Sequence, residues 1–275
     1  MGAFLAGRAQ YGQHFAARGD FWGQLALVVL CMTAARAAAM TFNRIADRRF
    51  DSQSPRNANR PLVTGEISPS SAWLFYAACC ALFLAACGAF WLLWRNPWPI
   101  ALAAPVLAVV SFYSLTKRFT WLCHVVLGAA DGLAPLCAYL AIAPASFGWP
   151  AVLMGVVVTF WVGGFDIIYA LPDIELDRRL ALRSIPARFG PAGALLISRS
   201  MHVLVVLALL GVWGLCRPWL GGPYLAGVAI SAIILAVEQS AVRADDFSKV
   251  NAAFFTANAF VSCILGAVTI ADLLL

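Results

Sequence analysis

Charge is scarce in this chain. Asp, Glu, Lys and Arg together make up 12% of its 275 residues, and Lys117 and Lys249 are its only lysines. With 62% hydrophobic side chains and a mean hydropathy of +0.83, that scarcity excludes an ordinary soluble domain. Histidine is nearly missing: only His14, His124 and His202 occur, with no H-E-x-x-H, so zinc hydrolysis is set aside. The eight cysteines form no C-x-x-C pair and fall inside or at the ends of apolar runs, where they read as small packing residues. A net charge of +6 does not point to nucleic acid, because the basic residues sit in short loops beside apolar runs, and no nucleic-acid partner is expected.

What the chain has in abundance is long apolar segments. They run over roughly 21–42, 72–94, 98–115, 120–143, 150–170, 192–216, 219–239 and 252–275, each long enough to cross about 30 Å of hydrocarbon as a helix. Met1 to Gly7 is apolar but too short to span. The expectation is an all-α polytopic transmembrane bundle of eight full spans plus a truncated first helix, a single integral membrane domain over residues 1–275 with the lipid bilayer as its surroundings. Loop charge orients it. Arg44, Arg48, Arg49, Arg56, Arg60, Lys117, Arg118, Arg178, Arg179, Arg183, Arg188, Arg243 and Lys249 fall on one side, against Arg8, Arg18, Arg95 and Arg217 on the other. By the positive-inside rule the first set is cytoplasmic.

Two acidic motifs stand out against this background. Asn43, Asp47 and Asp51 close the first full span, and Asp173 and Asp177 follow the one ending near Tyr169. Residues four apart on a helix share a face, so each aspartate pair can offer two carboxylates to one divalent ion. Four spans separate the motifs, an even number, which puts both on the cytoplasmic face. Carboxylates gathered there repel one another unless cations intervene, and Mg²⁺ suits them because it commonly bridges one or two carboxylates to phosphate oxygens. Lys117 and Arg118, with Arg56 and Arg60, supply donors for a diphosphate on the same face; the competing reading is that they are only positive flanks of spans.

These motifs, with Asn59-Arg60-Pro61-Leu62 and Gly65, Tyr113 to Arg118, Leu127-Gly128, Ala134-Pro135 and Ser184 to Gly190, resemble the UbiA superfamily of intramembrane aromatic prenyltransferases, most of all its 4-hydroxybenzoate polyprenyltransferase branch. The resemblance implies Mg²⁺ held by Asn43, Asp47 and Asp51 at one site and by Asp173 and Asp177 at a second, with a polyprenyl diphosphate bridging them. It also implies Lys117 and Arg118 neutralising the leaving diphosphate, and Arg60, Tyr113, Tyr169 and Asp166 as further substrate-binding residues. The reaction it implies is ionisation of the allylic diphosphate and attack by an aromatic acid, 4-hydroxybenzoate, in ubiquinone biosynthesis at a bacterial inner (plasma) membrane, the active site facing the cytoplasm. Other acceptors stay open: 1,4-dihydroxy-6-naphthoate in menaquinone biosynthesis, haem or chlorophyllide. So does a different class, a cation-coupled secondary transporter that uses intramembrane acids. Family members begin with a complete first helix, so this chain is expected to enter near that helix's end.

Five further features stand out. Pro172 is expected to break the helix before Asp173. Asp166, about two turns earlier, reads as support for the metal site, and Asp131 as a partner for Arg36 by charge sign alone. His124 reads as a hydrogen-bonded packing residue. Glu238 and Arg243 read equally as a surface pair or as something functional.

Overall fold

The computed structural model describes residues 1–247, 250 and 253–275; Lys249, counted above among the loop charges, lies outside them. Its helices are α1 (Gly2–Tyr11), α2 (Gly19–Asp51), α3 (Pro61–Thr64), α4 (Pro69–Trp94), α5 (Trp98–Phe112), α6 (Cys123–Ile142), α7 (Trp149–Tyr169), α8 (Ile174–Arg179), α9 (Ile185–Leu215), α10 (Gly222–Ala241) and α11 (Asn258–Leu274). Among the described residues, eight helical segments are long and apolar enough to cross a membrane, matching the spans expected from hydropathy. The short piece at the start is helical, as α1, and packs mainly on α6.

Consecutive long helices pack side by side, α2 on α4, then α5, α6, α7, α9, α10 and α11, with α1 touching α2, α6 and α11. The main core is densest at one end of this arrangement and reaches up α10 and α11 through Leu235 and Val261. Leu5, Phe15, Phe21, Phe90, Tyr139, Leu209, Tyr224 and Leu273 are buried there, contributed by α1, the 3₁₀ turn after it, the first turns of α2 and α10, the last turns of α4, α6 and α11, and α9. That packed end is the floor of the bundle. The opposite end carries only a smaller cluster on α7 and α9, built from Ile167, Ile168, Leu171, Ile185 and Leu195, and both aspartate motifs lie at that end.

Close helix approach sets the wall between α6 and α7. A Cβ on Gly128 would collide with the Thr159 carbonyl oxygen, and one on Gly132 would lie 2.7 Å from the Gly155 carbonyl oxygen. Small residues let the two backbones meet where lipid provides no hydrophobic drive between helices. α9 bends at Gly190, whose φ of 70° is left-handed, and Pro191 follows it. This bend explains why hydropathy began the span at 192 while the helix starts at Ile185. The eight cysteines are free thiols, in keeping with a packing role.

Candidate active site

α2 is 33 residues long, about 50 Å at 1.5 Å per residue, so it outruns a hydrocarbon core of about 30 Å. Its last turns carry Asn43, Asp47 and Asp51, with Arg48 and Arg49 beside the negative end of the helix dipole. Asp47 and Asp51 are buried. The second motif is built by a helix break. α7 stops at Tyr169, Leu171–Asp173 form a 3₁₀ turn around Pro172, and α8 starts at Ile174. Asp173 therefore stands ahead of α8, half-buried, and Asp177 lies on it, buried.

The two motifs meet at one rim. Arg56, from the loop after the first motif, donates through Nη1 to Asp173 Oδ2 at 3.1 Å and lies 4.7 Å over the Tyr169 ring. Arg179, from α8, reaches back to the Gln53 carbonyl at 3.5 Å. Lys117 stands between, with Nζ 3.6 Å from Asp47 Oδ2 and its charge also felt by Asp177. The Arg183 N–H donates to the Lys117 carbonyl at 2.6 Å, tying the loop after α8 to the 3₁₀ segment Tyr113–Arg118.

Each carboxylate has its own environment. Asp51 is paired with Arg60 Nη1 at 2.6 Å and accepts from Asn57 Nδ2 at 3.1 Å. Asp47 accepts from Asn43 Nδ2 at 3.1 Å, and Arg118 Nη2 stays 3.8 Å from its Oδ1 while donating to the Ala46 carbonyl at 2.7 Å. Asn43 Oδ1, the expected ligand oxygen, accepts from Arg44 at 3.2 Å. Asp177 accepts from Ser184 Oγ at 2.7 Å, and burial pushes its carboxyl above the usual range, against the pull of that hydrogen bond and of Lys117. A cavity of about 520 Å³ opens beside Asp51 and Arg60 between α2, α3 and α4.

This donor set fits a hard divalent cation. All the motif ligands are oxygens, and among the described residues Asp47 Oδ1 is buried with no hydrogen-bond partner, Arg118 standing 3.8 Å away. Among the described residues no three acidic, His or Cys side chains gather into a ready-made cage. A metal here must complete its shell from a ligand's oxygens, as Mg²⁺ does on phosphates.

Residues outside the motifs have partners of their own. His124 Nδ1 lies 2.8 Å from Asp166 Oδ2, so both belong to one polar pair. Asp131 feels the charge of Arg36 without a hydrogen bond to it among the described residues. Glu238 is no surface partner of Arg243: it is buried, receives Asn258 Nδ2 at 3.4 Å and lies 3.9 Å from His202, while Arg243 pairs with Asp245. The reason is helical phase, since Glu238 lies on the face of α10 turned toward α9 and α11. Asn57 and Ser184 were missed as supports of the carboxylates. Ser184 had a legible signal, because it precedes a Pro-containing first turn and caps α9 by accepting from the Ala187 N–H.

An intramembrane bundle whose charged rim pairs two aspartate motifs with lysine and arginine is the class of an enzyme acting on a phosphorylated, lipid-soluble substrate. A model of the UbiA prenyltransferase family matches residues 9–264, and the chain belongs to that family. It is 34% identical to a 4-hydroxybenzoate octaprenyltransferase of Pseudomonas aeruginosa over 226 residues, covering 81% of this chain and 72% of the relative. The apo structure of a UbiA homolog from Aeropyrum pernix superposes with a TM-score of 0.82 at 30% identity, covering 98% of this chain and 97% of that one. A UbiA homolog from Archaeoglobus fulgidus, solved with DMAPP and Mg²⁺ bound, shares the fold at a TM-score of 0.67 and 21% identity over 91% of this chain and 87% of that one.

Proposed function

We propose that this protein transfers a polyprenyl group from a polyprenyl diphosphate to the ring of 4-hydroxybenzoate in quinone biosynthesis, at a bacterial plasma membrane with the rim facing the cytoplasm. The observation that carries the proposal is the meeting of both aspartate motifs around Lys117 at one end of the bundle. The acceptor is supported by the name of the Pseudomonas aeruginosa relative, and family membership speaks against the transporter alternative.

Mg²⁺ is the cation proposed for Asn43, Asp47 and Asp51 and for Asp173 and Asp177; when bound it supplies neutralisation of the diphosphate's charge. Lys117 and Arg118 stand beside Asp47 without tight hydrogen bonds to it, so they are available to follow the diphosphate as negative charge builds on the departing oxygen. Arg56 and Arg60 hold Asp173 and Asp51 in place until the ligand arrives. Tyr113, in the 3₁₀ segment that carries Lys117, and Tyr169, at the end of α7, lie next to the rim, where aromatic faces would stabilise an allylic cation.

Membranes containing the protein, incubated with labelled prenyl diphosphate, Mg²⁺ and 4-hydroxybenzoate, should yield a prenylated hydroxybenzoate on extraction. A product with 1,4-dihydroxy-6-naphthoate and none with 4-hydroxybenzoate would overturn the choice of acceptor.

A further inference from the structure

Transfer to a phenol leaves a proton to be taken up, and the rim is poorly placed to take it. Asp51 and Asp173 are engaged by arginines, and Asp47 and Asp177 are proposed metal ligands. Deeper in the bundle stands a carboxylate of another kind. Asp166 lies in the last turn of α7, seven residues before Asp173 and on the far side of the break at Pro172. Its Oδ2 accepts from His124 Nδ1 at 2.8 Å, and the His124 ring is only 5% exposed, fixed in the first turn of α6. The Asp166 side chain stays 25% exposed. No hydrogen bond is made by its Oδ1 among the described residues, and that oxygen is not among the buried polar atoms.

Asp166 is within electrostatic reach of Tyr113 and Asp131, and those two in turn feel Arg44 and Arg36 from α2. These residues come from α2, α6, α7 and the segment after α5, so several elements bring polar groups into one neighbourhood around Asp166. A carboxylate with one oxygen tied to a buried imidazole and the other unbonded on a partly exposed side chain has the arrangement of an oriented base.

We propose that Asp166 is the general base that accepts the phenolic proton of the aromatic acceptor, and that His124 is its positioning residue. The assignment rests on the aromatic prenyl transfer proposed above. In the step, the phenol O–H bond breaks and its proton passes to Asp166. The C1–O bond of the prenyl diphosphate has by then broken, its pair leaving on the diphosphate, and the oxygen's electrons flow into the ring, whose ortho carbon forms a bond to C1 of the allylic cation. Asp166 then passes its proton to bulk water through its exposed side, and the dienone tautomerises, its ring hydrogen moving as a proton to the oxygen. Phenol and carboxylate are thereby regenerated.

The test compares wild type with Asp166→Asn in detergent, following diphosphate release and ring product separately, with 4-hydroxybenzoate and with its 3-fluoro analogue, whose more acidic phenol needs less help from a base. Asp166→Asn should lose about 100-fold or more in ring product with 4-hydroxybenzoate, within the usual range for a general base, and keep diphosphate release within about threefold. The deficit should shrink at least about tenfold with the fluorinated acceptor, relative to wild type on the same compound. An equal deficit with both acceptors, undiminished transfer, or parallel loss of diphosphate release would each overturn the base assignment. If Asp166→Asn does not fold, His124→Asn and His124→Ala decide the matter. Asn keeps a donor for the carboxylate and should retain most transfer, whereas Ala should lose it in the same acceptor-dependent way; equal behaviour of the two overturns the proposal. Failure of the wild type to prenylate either acceptor would instead remove the underlying function, a result separate from all of these.

Discussion

At the scale of single residues, the rim works because cations and carboxylates are arranged for exchange rather than for permanent pairing. Asp47→Ala or Asp173→Ala should abolish prenyl transfer while leaving a monodisperse protein in detergent; turnover surviving in either would count against the metal assignment. Arg60→Ala removes the partner of a buried carboxylate, and breaking such a pair costs about 3–5 kcal/mol. Since Arg60 is itself partly exposed, we expect the low end of that range, read as a lower thermal midpoint that added Mg²⁺ partly restores. Ser184→Ala deprives Asp177 of the hydrogen bond that opposes burial. The sign follows from a carboxyl already raised: it is charged only above its pKa, so activity needing the carboxylate is lost as pH falls through that value. Removing the hydrogen bond should move the acid limb of the pH–rate profile upward, and excess Mg²⁺, competing with protons, should move it back.

At the scale of elements, two backbone features hold the helices that present the motifs. Gly190 is left-handed at the bend of α9, and the short arm before it places Arg188 4.9 Å over the Trp121 ring. Gly190→Ala should cost about 1–2 kcal/mol, while Gly214→Ala, in the same helix with open space around it, should be neutral or stabilising. Thermal unfolding in detergent separates the two. Gly128→Val should be far worse than either, because the Thr159 carbonyl backbone cannot give way and α6 must part from α7. The helix break at Pro172 was legible from a missing N–H. Helix rotation was not: Glu238 sits near the end of its span like a surface charge, yet it points inward, because hydropathy averages over a span and is blind to phase.

At the scale of the whole molecule, the packed floor and the open, charged rim are opposite ends of one arrangement. In a cysteine-less variant, single cysteines at Gln53 and Arg179 should label from the same side of the membrane, and one at Arg217 from the other. Labelling of Gln53 and Arg179 from opposite sides would contradict the shared rim. The parity of spans and the bias of loop charge had already put the motifs together, since both depend only on counting.

The sequence by itself determined that the chain crosses a membrane repeatedly, where its helices lie and which end is acidic. Those properties follow from local composition: run length against bilayer thickness, charge in loops, a proline after Leu171. Tertiary structure alone decided which cation meets which carboxylate, that Asn57 and Ser184 support the motifs, and that His124 grips Asp166 across 42 positions of chain. Such pairings depend on how helices rotate and lean on one another, and that is settled by packing over the whole bundle, at contacts such as Gly128 on Thr159, rather than by any stretch of residues read alone.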